Sequence, residues 1–171
     1  VGYLCDESGS MSSAAIEASV RTGIILQDLC SRMELPCYVC GFTSGGYCGV
    51  QILSYVDKDI DGNDKYRITG MSSRGGTPTV PAMRYMGEKL KKDETEKKIL
   101  IVSTDGCSNT GREGVQKAIK DSSKAGIIVV GAGIGDSRSQ VEKEFGKNFI
   151  DISDLDTMPR VLCNIVKKNL V

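Results

Sequence analysis

Histidine is absent from the 171 residues of this sequence. Its absence excludes histidine general bases, Ser-His and Cys-His nucleophile pairs, and the imidazole ligands usual at zinc, copper and non-haem iron sites. No apolar run approaches the roughly 20 residues that a membrane-spanning helix needs. Neither sign of charge is in excess, with 22 basic and 22 acidic residues. The charge balance therefore gives no support for a nucleic-acid partner or a membrane surface.

The seven cysteines are odd in number and irregular in spacing, which does not fit a disulfide framework. We expect reduced, mostly buried thiols, and hence an intracellular, cytoplasmic protein. Residue 1 already lies in a predicted core strand, and no signal peptide precedes it. We therefore expect residues 1–171 to form a single domain excised from a longer protein.

Apolar runs alternate along the chain with amphipathic stretches, a pattern typical of a parallel sheet covered by helices on both faces. Strands are predicted at 1–5, 37–42, 47–56, 99–102, 127–130 and 148–152, with helical spacing of apolar residues between most of them. The short Gly45-Gly46 connection predicts a hairpin, which makes the third strand an antiparallel edge strand. The predicted fold is α/β: a doubly wound, mostly parallel, six-stranded, Rossmann-like sheet.

Three polar segments stand where predicted strands end or helices begin, the places at which open α/β sheets bind ligands. Asp6-Glu7-Ser8-Gly9-Ser10 follows the first strand, Gly75-Gly76-Thr77 precedes a helix at Pro78, and Ser103-Thr104-Asp105 follows the fourth strand. Together they offer hydroxyl and carboxylate oxygens. Such hard donors suit Mg²⁺, Mn²⁺ or Ca²⁺ and suit soft metals poorly.

The Asp-x-Ser-x-Ser segment, the later threonine and the aspartate after a buried strand resemble the metal-ion-dependent adhesion site of von Willebrand factor A domains. The order of predicted elements resembles that family over nearly the whole chain. The resemblance implies a ligand set of Asp6, Ser8, Ser10, Thr77 and Asp105. It also implies that the hydroxyls bind the ion, that the aspartates bind it directly or through water, and that one coordination position is left for an acidic residue of a partner.

Neutral hydroxyl ligands would leave much of the cation's charge unbalanced, and an incoming carboxylate would then be strongly attracted. The sequence therefore predicts a metal-dependent protein-binding module rather than an enzyme, with Mg²⁺ as the expected ion and Mn²⁺ or Ca²⁺ as substitutes. Residues 6–11 and Gly41-Phe42-Thr43 also resemble A domains of chelatase subunits. That resemblance implies a partner complex containing an AAA+ ATPase.

Two other interpretations of the same residues stay open. Asp6 could be the nucleophile of a Mg²⁺-dependent phosphoryl-transfer or hydrolase domain, although Ser8 stands where the haloacid-dehalogenase pattern requires a second aspartate. The chain could also be a structural A domain whose site is unused. Each polar segment taken alone is ordinary, because Ser, Thr-Pro and Asp-Gly also cap helices and form turns.

Three further motifs are interpreted as structural. Cys37 and Cys40 form a C-x-x-C on a predicted strand, where the period of two sends them to opposite faces. Residues 57–62 imitate the start of an EF-hand loop, but Ile68 occupies the position of the bidentate glutamate, so a solvated acidic turn is expected. Residues 131–135 resemble a dinucleotide-binding fingerprint with a displaced third glycine and are interpreted as a turn after a strand.

Overall fold

The protein is described by a computed structural model that covers residues 1–45, 49–106, 108–154 and 156–170. One sheet of six strands has the order β3-β2-β1-β4-β5-β6. Its strands are β1 (Gly2–Asp6), β2 (Cys37–Gly45), β3 (Gly49–Lys58), β4 (Lys98–Thr104), β5 (Ile127–Gly133) and β6 (Phe149–Asp151). Neighbouring strands are parallel except β2 and β3. The predicted mostly parallel sheet with one antiparallel edge strand is confirmed.

The α-helices of the described residues are α1 (Ser13–Arg32), α2 (Asp64–Ile68), α3 (Thr79–Lys91), α4 (Gly111–Lys124), α5 (Arg138–Phe145) and α6 (Met158–Leu170). Helix α1 begins where the Ser12 hydroxyl accepts a hydrogen bond from the Ala15 amide at 3.2 Å, a side-chain cap. Helix α2 was not predicted, because five residues are too few to show a helical period. No helix in these ranges is both long and apolar enough to cross a bilayer.

Two apolar cores lie on opposite faces of the sheet, as alternation along the strands requires. In β1, Tyr3 and Cys5 face the layer formed by α1 and α6, whereas Leu4 faces the layer formed by α3, α4 and α5. The central strands are therefore apolar on both faces. This explains why they appear in the sequence as continuous apolar runs.

Five of the six strands end later than predicted, and the glycines at the end of β5 show why. Residues 131–133 were expected in a turn, but they continue β5 and pair with β4 and β6. A Cβ at Gly131 would lie 2.3 Å from the Phe145 ring, and one at Gly133 would lie 2.6 Å from the Phe149 ring. These glycines allow close packing of aromatic rings on the strand, so the resemblance to a dinucleotide fingerprint has a packing explanation. The predicted start of the third strand, at residues 47 and 48, lies outside the described residues.

Candidate cation site

The site is built where two central parallel strands end side by side. Strands β1 and β4 are direct neighbours, with Cys5 opposite Ser103. The chain leaves β1 for α1 on one face of the sheet and leaves β4 for α4 on the other. Such a switch point opens a crevice at the carboxyl edge of an α/β sheet. The segments that begin at Asp6 and Asp105 line this crevice.

Asp6 is fully buried, and hydrogen bonds hold both of its carboxylate oxygens. Its Oδ1 accepts from the Ser8 amide at 2.8 Å, and its Oδ2 accepts from the Thr104 hydroxyl at 2.7 Å. The loop that follows brings Ser8 Oγ within 2.9 Å of Ser10 Oγ. Two hydroxyls thus converge directly beside a fixed aspartate.

The segment that carries Thr77 is attached to the first loop and to the third. The Gly9 amide donates to the Gly75 carbonyl at 2.9 Å, and the Asn109 amide donates to the Thr77 carbonyl at 3.0 Å. Gly75 has a φ of +62°, and a Cβ there would lie 2.6 Å from Thr43 Oγ1. The turn before Thr77 therefore needs a glycine. Thr77 itself is buried, with 4% of its surface exposed.

Asp105 supplies an unusual atom to this crevice. Its Oδ1 is buried and, among the described residues, has no hydrogen-bond partner. Buried polar atoms are nearly always satisfied, and an exception calls for an explanation. A cation bound at this oxygen would supply the missing partner. Oxygen donors from two carboxylates and three hydroxyls also have the chemistry that Mg²⁺ or Mn²⁺ requires.

Burial sets the electrostatics of the site. It raises the pKa of Asp6 to about 6, against the opposing hydrogen bonds from Thr104 and Ser8, and the charge of Asp105 adds to the increase. Burial also raises the pKa of Glu144 on α5, and the charge of Asp105 adds to that increase. A bound cation would reverse this effect on the pKa of Asp6, because it favours the ionised carboxylate.

All five predicted site residues lie on these three connected segments. Their role as ligands stays a prediction. In the described ranges, no group of three or more Cys, Asp or Glu side chains is arranged to hold a metal. The five-residue set is of a different kind, since it contains only two carboxylates.

Two residues of the site were not singled out from the sequence. Thr104 orients Asp6 through the hydrogen bond given above. Glu7 stands between the predicted ligands Asp6 and Ser8 in the sequence, and its side chain is completely buried. A signal for Glu7 was present, because Tyr3, Cys5 and Glu7 share one side of an alternating strand and Tyr3 and Cys5 belong to the core beneath α1.

The other motifs are placed as follows. Cys37 packs in the core beneath α1 and Cys40 in the core beneath α3, so the two thiols lie on opposite faces as predicted. In the acidic turn, Arg67 Nη2 contacts Asp61 Oδ2 at 2.7 Å and also bonds Asp64. Within the predicted turn Asp57, Asp59 and Asp61 are exposed, whereas Asp64, which follows the turn, is buried and pairs with Arg67.

No family model matches this sequence, and no curated protein matches it. Solved structures match its fold. The pilus adhesin SpaC from Lactobacillus rhamnosus GG, in its open conformation, is 18% identical over 98% of this chain and 30% of its own, with a TM-score of 0.71. A von Willebrand factor type A protein from Catenulispora acidiphila is 19% identical over 98% of this chain and 41% of its own, with a TM-score of 0.71.

The VWA domain of SpRpn10 is 14% identical over 91% of this chain and 92% of its own, with a TM-score of 0.63. The chain thus spans less than half of SpaC and of the Catenulispora protein but nearly the whole SpRpn10 domain. At these identities the likeness concerns the fold.

Proposed function

Because this chain has the fold of von Willebrand factor A domains, we propose that it is a metal-dependent protein-binding module. Asp6, Ser8, Ser10, Thr77 and Asp105 hold one divalent cation, with Mg²⁺ as the resident ion and Mn²⁺ or Ca²⁺ as substitutes. A glutamate or aspartate of a partner protein completes the coordination. The bound ion supplies a Lewis-acidic centre that attracts this carboxylate.

The observation that carries the proposal is Asp105 Oδ1, a buried oxygen with no hydrogen-bond partner among the residues that the structure describes. Asp105 directly follows β4, the neighbour of the strand that ends in Asp6. Leaving such an oxygen without a partner costs on the order of 1–3 kcal/mol, and more for a charged group. A ligand that satisfies it returns this free energy.

The five residues have different roles at the proposed cation site. Asp6 is held rigid by two hydrogen bonds and fixes the position of Ser8. Ser8 and Ser10 present their hydroxyl oxygens side by side, and Thr77 presents a third from the adjoining segment. Three of the five donors are neutral hydroxyls, and an aspartate that binds through water screens the ion less than one that binds directly, so the ion still attracts an acidic partner.

The enzymatic alternative finds less support. A nucleophilic aspartate needs an accessible oxygen, but Asp6 has no exposed surface and both of its oxygens accept hydrogen bonds. SpaC is a pilus adhesin, and an adhesive role is consistent with binding rather than turnover. A partner complex that contains an AAA+ ATPase stays a prediction, carried by the chelatase resemblance alone.

The test is a direct titration of the metal-free protein with Mn²⁺. Binding is measured by water-proton relaxation, and Asp105→Ala is the variant. We expect saturable binding of one ion by the wild type and none by the variant. Asp59→Ala, in the acidic turn, is the control and should bind like the wild type. Absence of Mn²⁺ binding by the wild type, or turnover of p-nitrophenyl phosphate with Mg²⁺, would overturn the proposal.

A further inference from the structure

We propose that Glu7 is a positioning residue of the cation site, and that it fixes the segment carrying Thr77 against the loop carrying Ser8 and Ser10. The inference rests on the proposed function, since it assigns a role toward the same ion. Glu7 does not face the ion in this role. It acts through Thr77, by restricting where that hydroxyl can lie.

The side chain of Glu7 is buried completely and is held from two directions. Its Oε1 accepts from the Tyr55 hydroxyl of edge strand β3 at 2.6 Å. Its Oε2 accepts from the Ser72 amide at 3.2 Å and lies 3.4 Å from Arg74 Nη2. One carboxylate therefore links the sheet to the segment that leads to Thr77.

The backbone of Glu7 reinforces the same connection. Its carbonyl accepts from the Arg74 amide at 2.6 Å, and its amide donates to the Phe42 carbonyl at 2.9 Å. Glu7 thus binds both the side chain and the main chain of Arg74. The contact lies only three residues before Thr77.

The sheet makes room for this carboxylate at Gly41. A Cβ at position 41 would lie 1.7 Å from Glu7 Oε1 and 3.1 Å from a ring carbon of Tyr55. No side chain fits there while Glu7 keeps its position. The missing Cβ in β2 and the buried carboxylate after β1 are therefore two parts of one arrangement.

The segment needs this attachment because glycines precede Thr77. Gly75 and Gly76 give the backbone wide conformational freedom, and Gly75 adopts a positive φ of +62°. Ser44 Oγ accepts from the Gly76 amide at 2.7 Å, and the Thr77 carbonyl accepts from the Asn109 amide at 3.0 Å, which hold the segment at and after the glycines. Glu7 holds it before them. With both ends fixed, the backbone that carries Thr77 has little freedom to move relative to Ser8 and Ser10.

The experiment is a double-mutant cycle on Mn²⁺ affinity, with Glu7→Gln, Thr77→Ala and the combined variant. Glutamine keeps the size of the side chain but removes the charge that pairs with Arg74. Residues that orient metal ligands typically contribute 10- to 100-fold in metal affinity, so we expect Glu7→Gln to weaken Mn²⁺ binding about tenfold. In the Thr77→Ala background we expect less than about a threefold effect, because Glu7 acts through that hydroxyl.

Asp93→Asn is the matched control. Asp93 is a second buried carboxylate that accepts a tyrosine hydroxyl bond, from Tyr38 at 3.0 Å, but it lies at the other end of the sheet. It should lower the melting temperature while leaving Mn²⁺ affinity unchanged. If Glu7→Gln does not fold, Tyr55→Phe replaces it in the cycle, since that change removes one hydroxyl and fills the same space.

The outcomes separate the two proposals. A wild-type protein that fails to bind Mn²⁺ removes the proposed function and this inference with it. A wild type that binds, together with a Glu7→Gln variant of unchanged affinity, overturns only the inference. An equal loss of affinity in both Thr77 backgrounds also overturns it, because Glu7 would then act on the site by a route other than Thr77.

Discussion

Two buried carboxylates, Glu7 and Asp93, occupy opposite ends of the parallel strands and have closely similar partners. Glu7 follows the carboxyl end of β1 and pairs with Tyr55 and Arg74. Asp93 accepts a hydrogen bond from Tyr38 near the amino end of β2, and Lys58 Nζ lies 3.8 Å away. Each carboxylate therefore has one tyrosine hydroxyl and one basic side chain as partners. Burial raises the pKa of both tyrosines, and the adjacent carboxylate raises it further, so both remain neutral donors.

The difference lies in the backbone that each carboxylate holds. Among the described contacts, Asp93 bonds side chains at the ends of β2 and β3, whereas Glu7 also accepts a backbone amide, from Ser72. That amide belongs to the segment leading to Thr77. The same chemistry thus stabilises the fold at one end of the sheet and, under our proposal, orders a ligand at the other.

The largest expected effect concerns the pH dependence of the metal-free protein at the site end. Burial raises the pKa of Asp6 from 3.8 to about 6, so the folded state favours the protonated carboxyl. The resulting stability is present below the unfolded pKa and is lost as the pH rises through about 6, a loss of roughly 3 kcal/mol. Urea unfolding in EDTA at about pH 4 and about pH 7 should show this loss in the wild type.

Asp6→Asn keeps a neutral side chain at every pH and should lack that component of the pH dependence. The comparison between the two proteins cancels the titration of the other carboxyl groups. Asp93→Asn, at the far end, should retain the Asp6 component. Identical pH profiles for the wild type and Asp6→Asn would show that Asp6 is not destabilised by burial.

The next effect is the stabilisation by cation. An ion that binds only the folded state, at about 100 times its Kd, raises the free energy of unfolding by about 2.7 kcal/mol. We expect millimolar Mg²⁺, added after chelator treatment, to raise the Tm of the wild type and of Asp93→Asn. Asp6→Ala and Asp105→Ala should show no increase. An increase of the usual size in Asp105→Ala would place the ion elsewhere.

A smaller effect on stability is expected when two glycines, Gly41 and Gly87, are replaced by alanine. Gly41→Ala places a Cβ against Glu7 Oε1 and should destabilise the protein by about 2 kcal/mol through overpacking. Gly87 lies inside α3, and the nearest atom to a Cβ there is Ile127 Cδ1 at 4.0 Å. Gly87→Ala should therefore stabilise the helix by about 0.5–1 kcal/mol. Urea unfolding of both variants measures the contrast, and a neutral Gly41→Ala would mean that Glu7 can move aside.

The smallest effect is expected in the acidic turn. Asp59→Ala should change stability by less than about 0.5 kcal/mol, because surface substitutions rarely do more. Asp61→Ala should cost slightly more, since Asp61 Oδ2 pairs with Arg67 at 2.7 Å on an exposed surface. Thermal unfolding with and without Mg²⁺ measures both. A cation-induced Tm increase that disappeared in Asp59→Ala would move the site to this turn.

Apolar runs and the polar motifs at strand ends predicted most of the fold and the position of the candidate site. Apolar runs predict strands because central parallel strands are buried on both faces. The placement of Asp6 and Asp105 in one crevice follows as well, because adjacent parallel strands end at the same edge. The antiparallel position of β3 was also readable, from the short connection before it.

Tertiary structure decided where the strands stop and what Glu7 contacts. Backbone hydrogen bonds between strands form through glycines and threonines despite the low apolar character of these residues. Strand β2 therefore reaches Gly45, and β5 reaches Gly133. The bonds from Glu7 to Tyr55 and Ser72 span 48 and 65 residues. No local pattern encodes such pairs, because they form only when the folded sheet brings distant segments together and burial makes an unpaired carboxylate costly.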